Sequence, residues 1–128
     1  MLDTSGYDAY QTTSVNAKAA GANVHQLVLM LFQGFLEELQ RAEGHIEQKR
    51  FDKKAASIEK LLKILGGLEA SLDPENNEDV VKNMRGLYQF SGQALMRANL
   101  HNDASELIAV KKVMTDLKEG WEGILQNQ

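Results

Sequence analysis

From Val24 onward the apolar residues recur in steps of four and three: Val24, Val28, Leu31, Phe35, Leu39, Ala42 and Ile46. This is the rhythm of one buried face of an α-helix. It returns in Ala55, Ile58, Leu62, Leu65, Leu68 and Leu72 with Leu61 alongside, then in Val80, Met84, Leu87, Ser91, Leu95 and Ala98, and last in Leu107, Val110, Met114, Leu117, Trp121 and Ile124. The punctuation between the runs agrees with helix ends. Asn23 with Gln26 three residues later forms a capping box. Pro74 forbids continuation beyond Leu72. The acids of Glu75 to Asp79 lie at the positive end of the third helix, and Asn102 or Asp103 caps the fourth. The predicted helices span about 23–48, 52–72, 77–99 and 103–125.

Connections of about three to six residues make sequential helices neighbours. Each apolar stripe needs the others to cover it, so the predicted fold is all-α, an up-and-down antiparallel four-helix bundle. Residues 1–22 differ from the rest. They are mostly Thr, Ser, Ala, Gly and Asn, with Tyr7 and Tyr10 as bulky exceptions, and they read as a mobile N-terminal arm or short capping helix.

With 128 residues, 43% of them hydrophobic, the chain suffices for one domain with a real core. A net charge of -4 lacks the basic surface that phosphate backbones or anionic lipids require, so no nucleic-acid partner is expected. No cysteine is present, which removes disulfides and thiolate metal sites. The N-terminus has an acid where a signal peptide carries bases, so the expected location is the cytoplasm. The longest apolar run, Leu27-Val28-Leu29-Met30-Leu31-Phe32, is far below the roughly 20 residues that span a bilayer, and no membrane insertion is expected.

No catalytic or metal constellation emerges. A di-iron bundle needs Glu-x-x-His pairs, whereas Glu43 and His45 are two apart and face different ways. His25, His45 and His101 sit near helix ends as solvated or capping residues, and Glu37-Glu38 reads as a solvated face. Neither a nucleophile with its base nor a phosphate-binding loop is present, so the expectation is no enzyme, no metal and no cofactor. The alternative is a helix-binding signalling or adaptor bundle, such as a phosphorelay module using His45 beside Lys49.

Two features exceed what a bundle needs. Gly34, Gly44, Gly66, Gly67, Gly86, Gly92, Gly120 and Gly123 all fall inside predicted helices, each at a cost of about 0.8–1 kcal/mol relative to alanine. They serve either close helix packing or shallow grooves on an outer face. On a helical wheel, moreover, Leu29, Met30, Leu36, Phe90, Met96, Leu100, Ile64 and Ile108 lie well away from the stripe centres, while Leu27 and Phe32 fall at the core margin. Collected into patches, such residues mark partner contacts, a homodimer interface or a thick core. The free chain is expected to be a monomer or a weak homodimer.

Gly6-Tyr7-Asp8-Ala9-Tyr10 with Val15, Leu27 to Gly34, Ala42, Leu87-Tyr88-Gln89-Phe90 with Leu95 and Ala98-Asn99, and Leu117-Lys118-Glu119-Gly120-Trp121 occur in an order and spacing that resembles the flagellin export chaperone family FliS. The resemblance runs from about Tyr7 to Trp121. It implies a cytosolic, non-enzymatic chaperone that binds the disordered C-terminal segment of flagellin, prevents premature polymerisation and supports delivery to the flagellar type III export apparatus. It also admits the export gate and an anti-sigma factor as further partners, and an arm that lies over part of the binding surface. The expected partner-binding residues are Tyr7, Tyr10, Leu29, Met30, Leu36, Leu87, Tyr88, Phe90, Met96, Asn99, Leu100 and Ile108.

Overall fold

The computed structural model describes residues 23–72 and 77–126. Four helices follow one another: α1 (Val24–Glu47), α2 (Phe51–Ala70), α3 (Glu78–His101) and α4 (Glu106–Gln126). Each packs on its neighbours in chain order and α4 returns to α1, so the bundle is a closed ring of four antiparallel neighbours. The expected arm, with Tyr7 and Tyr10, lies outside the described residues.

Local chemistry accounts for the helix ends. Asn23 opens α1 with the full capping box: its side chain accepts from the Gln26 N–H at 2.9 Å, and its own N–H donates to Gln26 Oε1 at 3.1 Å. At the far end Lys49 turns left-handed (φ 59°), which lets the Arg50 N–H reach the His45 carbonyl at 2.8 Å and the Lys49 N–H reach the Ile46 carbonyl at 3.1 Å. Those two bonds satisfy carbonyls that the last turn leaves open. Asn77 caps α3 through Val80, and Asn102 ends it in the left-handed region, so Asn102 closes α3 rather than opening α4. Asp103 accepts from the N–H and hydroxyl of Ser105 just ahead of α4, and these bonds hold its carboxyl below the usual carboxylate range.

The core is built from heptad positions. Along α3 the inward set is Val81, Met84, Tyr88, Ser91, Leu95 and Ala98, which is a strict alternation of three and four. The predicted set differs by giving Val80 and Leu87 the inward places, and both are exposed. Leucine is the more apolar neighbour of Tyr88, but a ring covers more area, and the structure turns α3 so that the ring is buried. On α2 the seam is Lys54, Ile58, Leu61, Leu65 and Leu68, so Ala55 and Leu62 face outward instead of inward. A lysine therefore occupies a core position.

The run Leu27 to Phe32 is more deeply used than the wheel implies. Leu27 and Phe32 are buried, because α1 is flanked by both α2 and α4 and so hides a wider arc than one stripe. Only Leu29, half-buried, and Met30 remain outside the core. Glu38 corrects the expectation of a solvated face. It is 5% exposed in the α1–α2 seam, where the Ser57 hydroxyl donates to it at 2.7 Å and Lys60 and Arg41 approach within 3.3 and 3.2 Å. Burial pushes its pKa up, but the Ser57 bond and the two cations outweigh this and hold it below its ordinary value.

Candidate partner-binding surface

Among the described residues three apolar concavities open between the helices. The largest, about 570 Å³, lies at the end of the bundle where α1 and α3 begin and α2 and α4 finish. Val28 and Tyr88 belong to the core beneath it, while Met84, Leu117 and Trp121 line it half-buried and Val24 and Val80 lie on its exposed side. Trp121, the single tryptophan, donates its indole N–H to the His25 carbonyl at 2.7 Å, and its ring lies 5.3 Å from the His25 ring. These contacts tie the end of α4 to the first turn of α1. His25 Nδ1 is buried there without a hydrogen-bond partner among the described residues.

The second concavity, about 420 Å³, runs between α2 and α3 near the opposite end, with Ile58 and Leu62 on one wall and Met96, Asn99 and Leu100 on the other. Met96 is 63% exposed and Leu100 76%. A buried polar clasp bounds it: Lys54 Nζ donates to the Asn99 carbonyl at 2.9 Å and to Asn102 Oδ1 at 2.6 Å, and sits 5.6 Å from the Phe51 ring centroid. An ammonium is well placed at this helix C-terminus, where carbonyls are open and the dipole is negative. The third, about 210 Å³, lies between α1 and α4, with Leu36 and Leu39 among Glu37, Glu43 and Lys111.

The structure distributes the predicted partner residues unevenly. Met96, Asn99 and Leu100 come together in the α2–α3 groove, and Leu36 is half-buried on the α1–α4 groove. Leu87 and Phe90 are exposed on α3, Met30 on α1 and Ile108 on α4, each outside these three concavities. Tyr88 is 1% exposed and forms the floor of the end cavity, where burial, with Glu69 nearby, pushes its hydroxyl pKa up. Tyr7 and Tyr10 are outside the described residues. Ile64, expected to face outward, is instead packed against the core. Periodicity assigns Leu62 and Trp121 to the core, whereas the structure makes Leu62 a groove wall and Trp121 a cavity wall. The signal for Trp121 is its polar N–H near a helix end, since such a ring sits where one edge can find a partner.

A Cβ added at Gly34, Gly44, Gly86, Gly120 or Gly123 would meet nothing within 4 Å, whereas at Gly92 it would touch a neighbour, Leu65 Cδ2 at 3.4 Å. Close helix packing does not explain those five glycines. Gly120 lies on the rim of the end cavity. Among the described residues no group of His, Asp or Glu is arranged to hold a metal ion, and no helix is long and apolar enough to cross a membrane. His45 is half-buried at the end of α1 and accepts from Arg50 Nε at 3.1 Å through Nδ1.

Comparison with known proteins bears on what these surfaces serve. The chain is 37% identical to the flagellar secretion chaperone FliSB of Pseudomonas aeruginosa, over 90% of this chain and 91% of that one. It is 34% identical to the flagellar secretion chaperone FliS of Salmonella typhimurium, over 97% and 93%. The likeness to FliS of Bacillus subtilis is 30%, over 95% and 87%. A crystal structure of a bacterial flagellar chaperone has the same fold, with a TM-score of 0.78 over 84% of this chain and 87% of that chain at 20% identity. The family model of the flagellar protein FliS matches residues 6–128, and on that match and these relatives the chain belongs to the FliS family of flagellar secretion chaperones.

Proposed function

We propose that the protein binds the C-terminal segment of flagellin in the cytosol, keeps it from polymerising and supports its delivery to the flagellar type III export apparatus. The observation that carries this reading is the presence of separate apolar concavities at the end of the bundle, between α2 and α3, and between α1 and α4, on a chain of the FliS family. A disordered client loses ordering entropy on binding, so it needs a long wrapped interface with several apolar anchor points, and one deep pocket would not suit it. The chemistry is that of recognition: apolar walls for client side chains, with Asn99 and Arg97 at the α2–α3 groove to meet client polar groups. In this reading the N-terminal arm, which joins the bundle at Asn23 beside the end cavity, covers part of the surface until the client arrives.

The test is calorimetric titration of the full chain with a peptide of about 40 residues from the C-terminus of the cognate flagellin, with circular dichroism on the same mixture. Saturable binding with a gain of helix and a negative heat-capacity change is expected. Absence of heat and of any change in helicity would rule the reading out.

A further inference from the structure

The four methionines among the described residues divide sharply by exposure, and the division follows the candidate binding surface. Met96 is 63% exposed on the wall of the α2–α3 groove and Met30 44% exposed on α1. Met84 is half-buried at the end cavity, and Met114 is fully buried in the core. The whole chain has no cysteine, so no thiol competes for a peroxide. Thioethers are then the side chains most open to two-electron oxidation, in the order that access dictates.

We propose that Met96 is a reversible oxidation site through which peroxide lowers the affinity of the α2–α3 groove for its client, with Met30 as the second site. The proposal rests on the client-binding reading above. A lone pair of the Met96 sulfur attacks one oxygen of hydrogen peroxide, an S–O bond forms and the O–O bond breaks. The sulfur is oxidised by two electrons to the sulfoxide, and the other oxygen takes the proton of the attacked one and leaves as water. Methionine sulfoxide reductase, with a dithiol as reductant, reverses the step. Between Leu62 and Leu100 the change replaces a flexible apolar side chain with a strong hydrogen-bond acceptor, which a docking apolar helix face would strip of water. Exposed sulfoxide is harmless to the free bundle, because Met96 takes no part in the core.

Each of these methionines falls in its own tryptic peptide, so oxidation can be read site by site: Ala19–Arg41 for Met30, Asn83–Arg85 for Met84, Gly86–Arg97 for Met96 and Val113–Lys118 for Met114. The experiment treats the full-length protein with graded hydrogen peroxide, maps the gain of one oxygen atom by mass spectrometry, and measures affinity for the flagellin C-terminal peptide at each stage. Expected is oxidation of Met96 first and Met114 last, about tenfold weaker binding once Met96 is converted, recovery after the reductase, and an unchanged thermal midpoint. Met96→Leu should lose less affinity under peroxide, relative to its own untreated value, than the parent protein does. Unchanged affinity at full Met96 oxidation would overturn the proposal, as would oxidation of Met114 in step with Met96. If the untreated protein fails to bind the peptide, the client reading falls and the regulatory claim with it. The order of oxidation, read from masses alone, still stands or falls separately.

Discussion

Lys49 and Glu38 show how single residues set the margins of stability. Lys49 holds a left-handed backbone that a side chain disfavours by about 1–2 kcal/mol, in order to close the end of α1. Lys49→Gly keeps the two closing hydrogen bonds and removes the strain, so the variant should gain about 1 kcal/mol less the entropy that glycine adds to the unfolded chain. Urea unfolding should show a higher midpoint with an unchanged slope. Glu38 works in the opposite sense. Its native pKa lies below its ordinary value of 4.5, so its contribution is present above about pH 4.5 and is lost as the pH falls through the lower native value. Glu38→Gln should therefore be less stable than the parent at neutral pH, and the gap should close in acid. A gap that stays constant between about pH 7 and pH 3 would show that the charge contributes nothing.

Among the elements, α3 carries both core and surface, and the two should separate cleanly by mutation. Tyr88→Ala removes a fully buried ring and should cost about 3–5 kcal/mol, read as a large fall in thermal midpoint. Met30→Ser with Met96→Ser removes two exposed side chains and should leave the midpoint nearly unchanged while weakening binding of the flagellin peptide. A large loss of stability in the double variant would place those methionines in the core. The heptad seam explains why the register of α3 is the hardest of the four to read from its residues. In the N-terminal half two registers compete, Val80 with Leu87 against Val81 with Tyr88, and residue hydrophobicity favours the first. Burial of the larger ring, together with the packing of Met84, favours the second.

The molecule as a whole is a core with separate apolar concavities around it. Deleting residues 1–14 should leave helicity and thermal midpoint nearly unchanged, since the described core draws on the four helices together with Leu72 and Ala104 in the connections after α2 and α3. Affinity for the flagellin peptide should be unchanged or tighter if the arm only covers the surface. A fall would show that Tyr7 or Tyr10 contacts the client. The four-helix architecture is legible in the residues themselves, because four amphipathic runs with short connections have few other ways to bury their stripes. Candidate surface residues are legible one by one, as outliers on a wheel. Their grouping is not, because whether Met96 meets Leu62 depends on how α2 and α3 are rotated against each other.

Local periodicity and backbone hydrogen bonding are enough to give the number of helices, the capping box at Asn23, the antiparallel arrangement and six of the seven residues of α1's stripe, Val28, Leu31, Phe35, Leu39, Ala42 and Ile46, with Val24 left exposed. No local pattern places Lys54 and Glu38 inside, turns Tyr88 rather than Leu87 inward, or sets Trp121 to close one end of the bundle; packing between helices does that. For Lys54, Glu38 and Trp121 the cause is common. Each has a partner on another helix or at its end that satisfies its polar atom: Asn99 and Asn102 for Lys54, Ser57 and Lys60 for Glu38, the His25 carbonyl for Trp121. Such partners are 19 to 96 residues away along the chain, beyond the few turns over which a helical pattern can be read.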